Sequence, residues 1–346
     1  MRVTPWLRRP GRKGERGVTA VLTAICLTAL CAVGALAVDL GNTWQTRRNL
    51  ITASDAGALA AAQRFVAGGD GCATVAATYV GQNTQGLGGV TSTCTQPTAS
   101  SVRVDVQARV DHVLARVFGS ESGLAGSTTV ARWGHPTAYG HLRPFAVCWA
   151  AINGLLEWAA DPDKAPQTFR IRYSGGQGAG NNAPGPCFGA PGNWEYVDFD
   201  GGSSSSVERS RWIRHGWDGL IEPGEMGVPC PDTQTPSACL YADTGIANNS
   251  QGPAMAELMA VDRFVIPLFD SVTGQGTKAQ YHVVGFAAVR LVGYRLTGNP
   301  NQRYIDLELH RDTVQGPCCA EDPPAIDTGL RVVEICSVDP DDTTGC

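Results

Sequence analysis

Val18 to Val38 reads VTAVLTAICLTALCAVGALAV, an uncharged apolar run. About 20 such residues let a helix cross a hydrocarbon layer of ~30 Å. The run passes without a proline into Asp39-Leu40-Gly41-Asn42-Thr43-Trp44-Gln45-Thr46-Arg47-Arg48, a polar, interfacial stretch. From Asn49 to Val66 the chain is Ala-rich and amphipathic, with Leu50, Ala53, Gly57, Ala58, Ala61 and Phe65 near one helical face. The pattern predicts one long helix, a transmembrane helix over 18–38 and an amphipathic extension over 39–67. Gly68 to Gly71 ends it, as Gly-rich C-caps do.

Charge orients this helix. Residues 1–17 hold Arg2, Arg8, Arg9, Arg12, Lys13 and Arg16 against Glu15, a net +5, while the rest of the 346-residue chain nets −10. A basic tail before a span predicts a cytoplasmic N-terminus in a single-pass protein of the cell membrane, with the bulk of the chain extracytoplasmic. Arg47 and Arg48 on the far side weaken that bias without cancelling it. The acidic remainder excludes general nucleic-acid binding. A basic head before an apolar run also fits a signal peptide, and Ala35-Leu36-Ala37 satisfies the small-x-small rule. Cleavage after Ala37 would release a secreted or surface binding protein. The length of the run and the unbroken helix that follows it favour retention.

Cysteine usage agrees with an oxidising exterior. Cys26 and Cys31 lie in the apolar run, and the other ten follow it: Cys72, Cys94, Cys148, Cys187, Cys230, Cys239, Cys318, Cys319, Cys336 and Cys346. An even number in a chain with 42 Gly and 21 Pro reads as a disulfide framework. Connectivity is not deducible. Local pairings would be Cys72–Cys94, Cys230–Cys239 and Cys148–Cys187, leaving the last four to pair among themselves. The adjacent Cys318 and Cys319 are either a redox-active pair or each bonded to a different partner. The oxidising setting favours the second. A zinc site is disfavoured, because the chain has no Cys-x-x-Cys and its histidines are scattered.

Beyond the helix, apolar alternation marks strands. Ser101 to Val110 places Val102, Val104, Val106, Ala108 and Val110 on one face. Asp111 to Gly119 switches to helical spacing, and 127–133 returns to strand. Gly81 to Ser100 reads as a loop. Further strands are expected over 143–150, 168–173, 193–199, 263–269, 303–310 and 330–338. Helices are expected over 207–217 and 253–261. Pro267 implies a sheet edge or a bulge. Gln280 to Leu296 is too long for one flat strand, with bends expected at Gly285 and Gly293. Residues 174–191 and 224–249 read as loops. The sum is an α+β chain: a basic cytoplasmic tail (1–17), the transmembrane helix, its extension, a small α/β module (68–139), and a strand-rich, disulfide-stabilised extracytoplasmic domain (140–346).

The N-terminal stretch resembles the Flp/Tad pilus-assembly TadE/TadG-like family over about residues 15–66. The matching features are Arg16-Gly17 before the apolar run, Ala37-Val38-Asp39-Leu40-Gly41 at its end, and Leu50 to Ala62 (LITASDAGALAAA). The resemblance implies a non-enzymatic, membrane-anchored accessory of Flp pilus assembly or a related secretion system. Its implied partners are the bilayer, pilus-assembly or secretion membrane proteins, and pilin-like helices. The Ala53–Ala62 face could pack on such a helix or on the chain's own exterior domain. Pilin-like processing after Gly14 or Gly17 would put Thr19 or Leu22 at the fifth mature position, where prepilins typically carry Glu. Some TadG-type proteins carry a von Willebrand A-like metal site with Asp-x-Ser-x-Ser. Asp270-Ser271-Val272-Thr273 misses that pattern, so metal-dependent adhesion is not carried over.

No catalytic, cofactor-binding or metal set stands out. Asp198-Phe199-Asp200-Gly201-Gly202 has paired carboxylates, as a calcium loop would, but lacks the full loop spacing and the late Glu. His135, His141, His215, His282 and His310 have no recognisable catalytic partner, and Gly-x-Ser-x-Gly is absent. Ser203 to Ser206 reads as a flexible run. Trp194, Tyr196, Phe199, Trp212 and Trp217 fit a core better than a recognition surface. No cofactor and no small-molecule substrate are expected.

Overall fold

The apolar run and its Ala-rich continuation form one uninterrupted helix, α1 (Glu15–Val66), in the computed structural model of the chain. The structure describes residues 15–152, 154–161, 163–172, 196–201, 205–231, 238–243, 249–274, 278–299, 302–319 and 326–337. Residues 1–14 of the tail expected over 1–17, the whole of the loop expected over 174–191, Trp194, Ser203, Cys187 and Cys346 lie outside them. The 52 residues of α1 extend ~78 Å, more than twice a hydrocarbon core of ~30 Å. Gly68, at φ 77°, stops the helix: its N–H returns to the Phe65 carbonyl, and the Gly69 N–H to that of Arg64. That is a Schellman ending, which favours a residue without Cβ at the left-handed position.

A short helix, α2 (Cys72–Asn83), folds back against α1 and is tied at its start by the Cys72–Cys94 disulfide. Cys94 lies in β1 (Thr91–Thr98), within the expected loop over 81–100. Its polar sequence has no apolar alternation because it is an edge strand and mostly exposed; backbone pairing with the next strand and the disulfide place it. β2 (Ser101–Asp111) buries the five alternating residues Val102 to Val110. The expected helix over 111–119 shrinks to one 3-10 turn, Ala115–Phe118, which Gly119 ends at φ 86°. Val113, Leu114 and Val117 find no core there and remain exposed. β3 (Ser122–Gly134) then pairs with the whole of β2, from Asp111 opposite Ser122 to Ser101 opposite Arg132.

The rest of the chain builds a second sheet. Its elements are β4 (Val147–Cys148), α3 (Leu155–Ala160), β5 (Gln167–Arg172), β6 (Val197–Asp198), α4 (Ser206–His215), β7 (Cys239–Ala242), α5 (Gly252–Leu258), β8 (Phe264–Thr273), β9 (Gln280–Arg295) and β10 (Tyr304–His310). The strand expected over 143–150 thus shortens to a two-residue pairing, the described part of the one expected over 193–199 holds β6 while 193–195 lie outside the described residues, and β7 lies in what reads as loop. Ser205 caps α4 by accepting the Glu208 N–H at 3.1 Å. β9 stays one strand, but its register shifts beside both expected glycines. Gly285 faces Leu268 while Val283 faces Phe269, and Gly293 faces Asp306 while Leu291 faces Leu307. Pairing of β8 with β4 begins at Leu268, which leaves Pro267 just beyond it.

Two short strands close the chain's described part: β11 (Asp312–Val314) and β12 (Leu330–Ser337). The first sheet has the order β1-β2-β3-β12-β11, so the last strand returns to pair with β3. The second sheet runs β4-β8-β9-β10-β5, with β7 pairing both β6 and β9. It is buried on both faces: Ile266, Leu268, Ala287 and Leu307 pack with α5, while Val265, Phe269, Val283 and Trp212 fill the opposite cluster. A third core joins α1, α2 and the first sheet.

Candidate functional site: the seam between the long helix and the first sheet

The two halves of α1 meet different surroundings. From Val18 to Val38 the large side chains Val21, Leu22, Ile25, Leu27, Leu30, Val33 and Leu36 are all exposed. From Leu50 onward one face disappears into protein: Leu50, Ala53, Ala58, Ala61 and Ala62 are fully buried against Val102, Val104 and Val106 of β2. Small residues allow the helix backbone to lie close to the sheet, and the valines fill the space. Each of those buried valines contributes about 1.5–3 kcal/mol. Of the two uses open to the Ala53–Ala62 face, docking on the chain's own domain is the one observed. A partner helix is therefore not its occupant in this structure.

An aromatic stack and two sets of polar contacts fix the register of this seam at three levels. At the top, Phe65 stacks on Trp133 with centroids 5.4 Å apart. In the middle, the buried Ser54 hydroxyl lies 2.9 Å from that of Ser127 and 2.8 Å from that of Thr129. Thr129 donates in turn to Asp55 at 2.7 Å. At the bottom, Asp39 accepts three backbone N–H groups, from Val113 at 2.6 Å, Leu114 at 3.1 Å and Ala115 at 2.5 Å. Asp39 thus caps the 3-10 turn at the lower end of the β2–β3 hairpin. Burial would raise its carboxyl pKa, but the bonds from Ala115, Val113 and Leu114 prevail and hold it below the usual carboxylate value. Next to this seam, Arg47, Ile51, Asp105 and Thr128 line a cavity of about 340 Å³.

The cysteines follow the expected framework in part. Cys72–Cys94 and Cys230–Cys239 are bonded. Cys148 and Cys336 are also disulfide-bonded, while Cys187 and Cys346 lie outside the described residues. Cys318 and Cys319 bond to each other, correcting the expectation that each takes a different partner. They sit against Gly134 at the end of β3, where a Cβ would collide with Cys319, so the pair occupies space that only glycine leaves. Both sulfurs and a Glu334 oxygen lie within 4.8 Å of one another. The sulfurs are nevertheless joined, and Glu334 receives Arg132 at 2.5 Å. Cys26 and Cys31 are free and exposed on the lower half of α1.

The other candidates do not converge. His282 Nδ1 lies 2.8 Å from Asp270, which also accepts the Gly227 N–H; both side chains are buried. Gly224 packs over the other ring nitrogen of His282, closing it from solvent. His310 meets Glu308 at 2.7 Å, His141 meets Asp218 at 3.2 Å, and His215 is exposed. His135 faces Arg331, and its pKa falls to about 4 through burial first and that cation second. Asp198 is buried, and its pKa is pushed up to about 7 by burial, then by its neighbour Asp200. Tyr196, Phe199 and Trp212 are buried, and Phe199 stacks on Trp217, so these four serve the core. The seam residues Ser54, Thr129 and Val113 to Ala115 escaped the sequence reading, because contacts across about 75 positions leave no local pattern.

Residues 17–64 match the protein-family model Tad, described as "Putative Flp pilus-assembly TadE/G-like". The matched segment covers the apolar lower half of α1 and nearly all of the docked upper half. No curated protein and no solved structure matches the chain. The match supports a role related to Flp pilus assembly, in a chain with one helix long and apolar enough to cross a membrane among the described residues.

Proposed function

We propose that the chain is a non-enzymatic, single-pass accessory protein of Flp pilus assembly or related secretion. Residues 1–17 are a cytoplasmic tail, 18–38 span the bilayer, and 39–67 carry the exterior parts, 68–139 and 140–346. The observation that carries this reading is the contrast within the Tad-matched helix: an upper half with one face buried and an apolar, exposed lower half. The upper half is occupied by the chain's own sheet, so the surface left for membrane proteins of the assembly machinery, pilin-like helices among them, is the lower half. Ala24, Ala29, Ala32 and Gly34 provide small positions for close packing there.

The test replaces the outward residues of 18–34 with leucine in the source organism, keeping the length and apolarity of the span. The expected outcome is a chain still in the membrane with Flp pili lost from the surface. Unchanged pili would contradict helix packing as the mode of action.

A further inference from the structure

We propose that the tip of the β2–β3 hairpin is a lipid-docking wedge that inserts beside α1 into the leaflet from which the helix emerges. The proposal rests on the reading of 18–38 as a membrane span. β2 runs antiparallel to α1, since its start at Ser101, paired beside Trp133, lies near Phe65, while Val113 to Ala115, just past its end, lie near Asp39. The hairpin therefore points toward the membrane, and the bonds from Val113, Leu114 and Ala115 to Asp39 hold its tip at the end of the apolar run. Ala35, one turn further down on the same helix face, is buried at 6 % exposure although it lies inside the run, while Val33 and Leu36 beside it stay about two-thirds exposed. The covered face of α1 thus continues one turn below Asp39.

The tip's chemistry fits the headgroup and upper acyl region. Val113 and Val117 are 62 % and 82 % exposed, and Leu124, early in β3, is 77 % exposed. With Leu114 they put four exposed apolar side chains at one end of the hairpin in an otherwise acidic chain, the composition of an interfacial anchor. Arg116 is exposed between them, a cation suited to lipid phosphate. Trp44, 60 % exposed on α1 with Arg48 over its ring, supplies an interfacial aromatic about 7.5 Å above Asp39 along the helix. With the span on one side and the wedge on the other, the exterior domain is held at two points and its tilt relative to the membrane is fixed.

The test uses the full chain reconstituted in phosphatidylethanolamine–phosphatidylglycerol vesicles, with benzoylphenylalanine placed singly at Val117, at Val21 in the span, or at Val207 on α4, which is 78 % exposed. Irradiation is followed by mass spectrometry for lipid adducts. The expected result is adducts at Val117 and Val21 in comparable yield and none at Val207. Adducts at Val21 without adducts at Val117 would overturn the wedge and leave the anchor standing. Absence at both would overturn the anchor and the wedge together. Equal adducts at all three would show non-specific adsorption and overturn the wedge.

Discussion

Asp39 on α1 accepts the backbone N–H of Val113 at 2.6 Å, across 74 positions of chain. This contact joins the end of the apolar run to the tip of the first sheet, so the middle of α1 and the β2–β3 hairpin are held together. Replacing Asp39 with Ala leaves three backbone N–H groups without their acceptor. The prediction is faster amide exchange confined to Val113, Leu114 and Ala115, read by hydrogen exchange on the full chain in detergent. Because the pKa of Asp39 is lowered in the fold, its contribution is complete above the ordinary carboxylate value and fades as pH falls through the folded value.

Packing on the seam predicts size-dependent losses. Leu50 is fully buried, and Leu50→Ala should cost about 2–5 kcal/mol in unfolding of the core between α1, α2 and the first sheet. A Cβ at Gly57 would stand 3.1 Å from Val80 Cγ2 and 3.4 Å from the Ala76 carbonyl. Gly57→Val should therefore cost about 1–3 kcal/mol by overpacking α1 against α2. Urea denaturation of both variants checks this, and a neutral Gly57→Val would refute the close approach.

In the second sheet, Arg209 and Asp243 form an ion pair at 2.5 Å with both side chains under one-tenth exposed. Arg209→Met alone leaves a buried carboxylate uncompensated and should cost about 3–5 kcal/mol. The double variant with Asp243→Leu should recover most of that loss, as a double-mutant cycle by thermal unfolding would show.

Two groups give opposite pH slopes over the same range. Asp198, raised to about 7, keeps a proton in the fold that the unfolded chain releases near its ordinary value, so stability falls as pH rises from about 4 to 7. His135, lowered to about 4, stays neutral while the unfolded chain takes up a proton, so stability falls as pH drops from about 6.5 to 4. Asp198→Asn should raise the melting temperature most above pH 7, and His135→Gln should raise it most near pH 4. Melting curves at several pH values test both signs.

Much of this arrangement is written locally. The length of the apolar run and the alternation of Val102 to Val110 are patterns within one segment, and the structure follows them; at Gly285 and Gly293, where bends were expected, β9 continues with shifts of register. What stayed hidden depends on pairing across the chain. β1 has no apolar face to announce it, and its position is set by β2 and Cys72. β12 reads as a strand, but nothing in it names β3 as its neighbour. The Asp39 site is the clearest case: its donors are backbone N–H groups, which every non-proline residue carries. The Ala53–Ala62 face was legible as an apolar surface; its occupant was not, because alanines suit a sheet and a helix equally.

The central claim is that α1 stays whole, with its lower half in the membrane and its upper half built into the exterior domain. The most direct measurement is the intact mass and N-terminal sequence of the natively expressed chain, taken separately from membrane and medium. A chain confined to the membrane fraction that retains residues 18–38 is the predicted result. A chain beginning at Val38 and found in the medium would contradict it, making the apolar run a signal peptide and the rest a secreted binding protein.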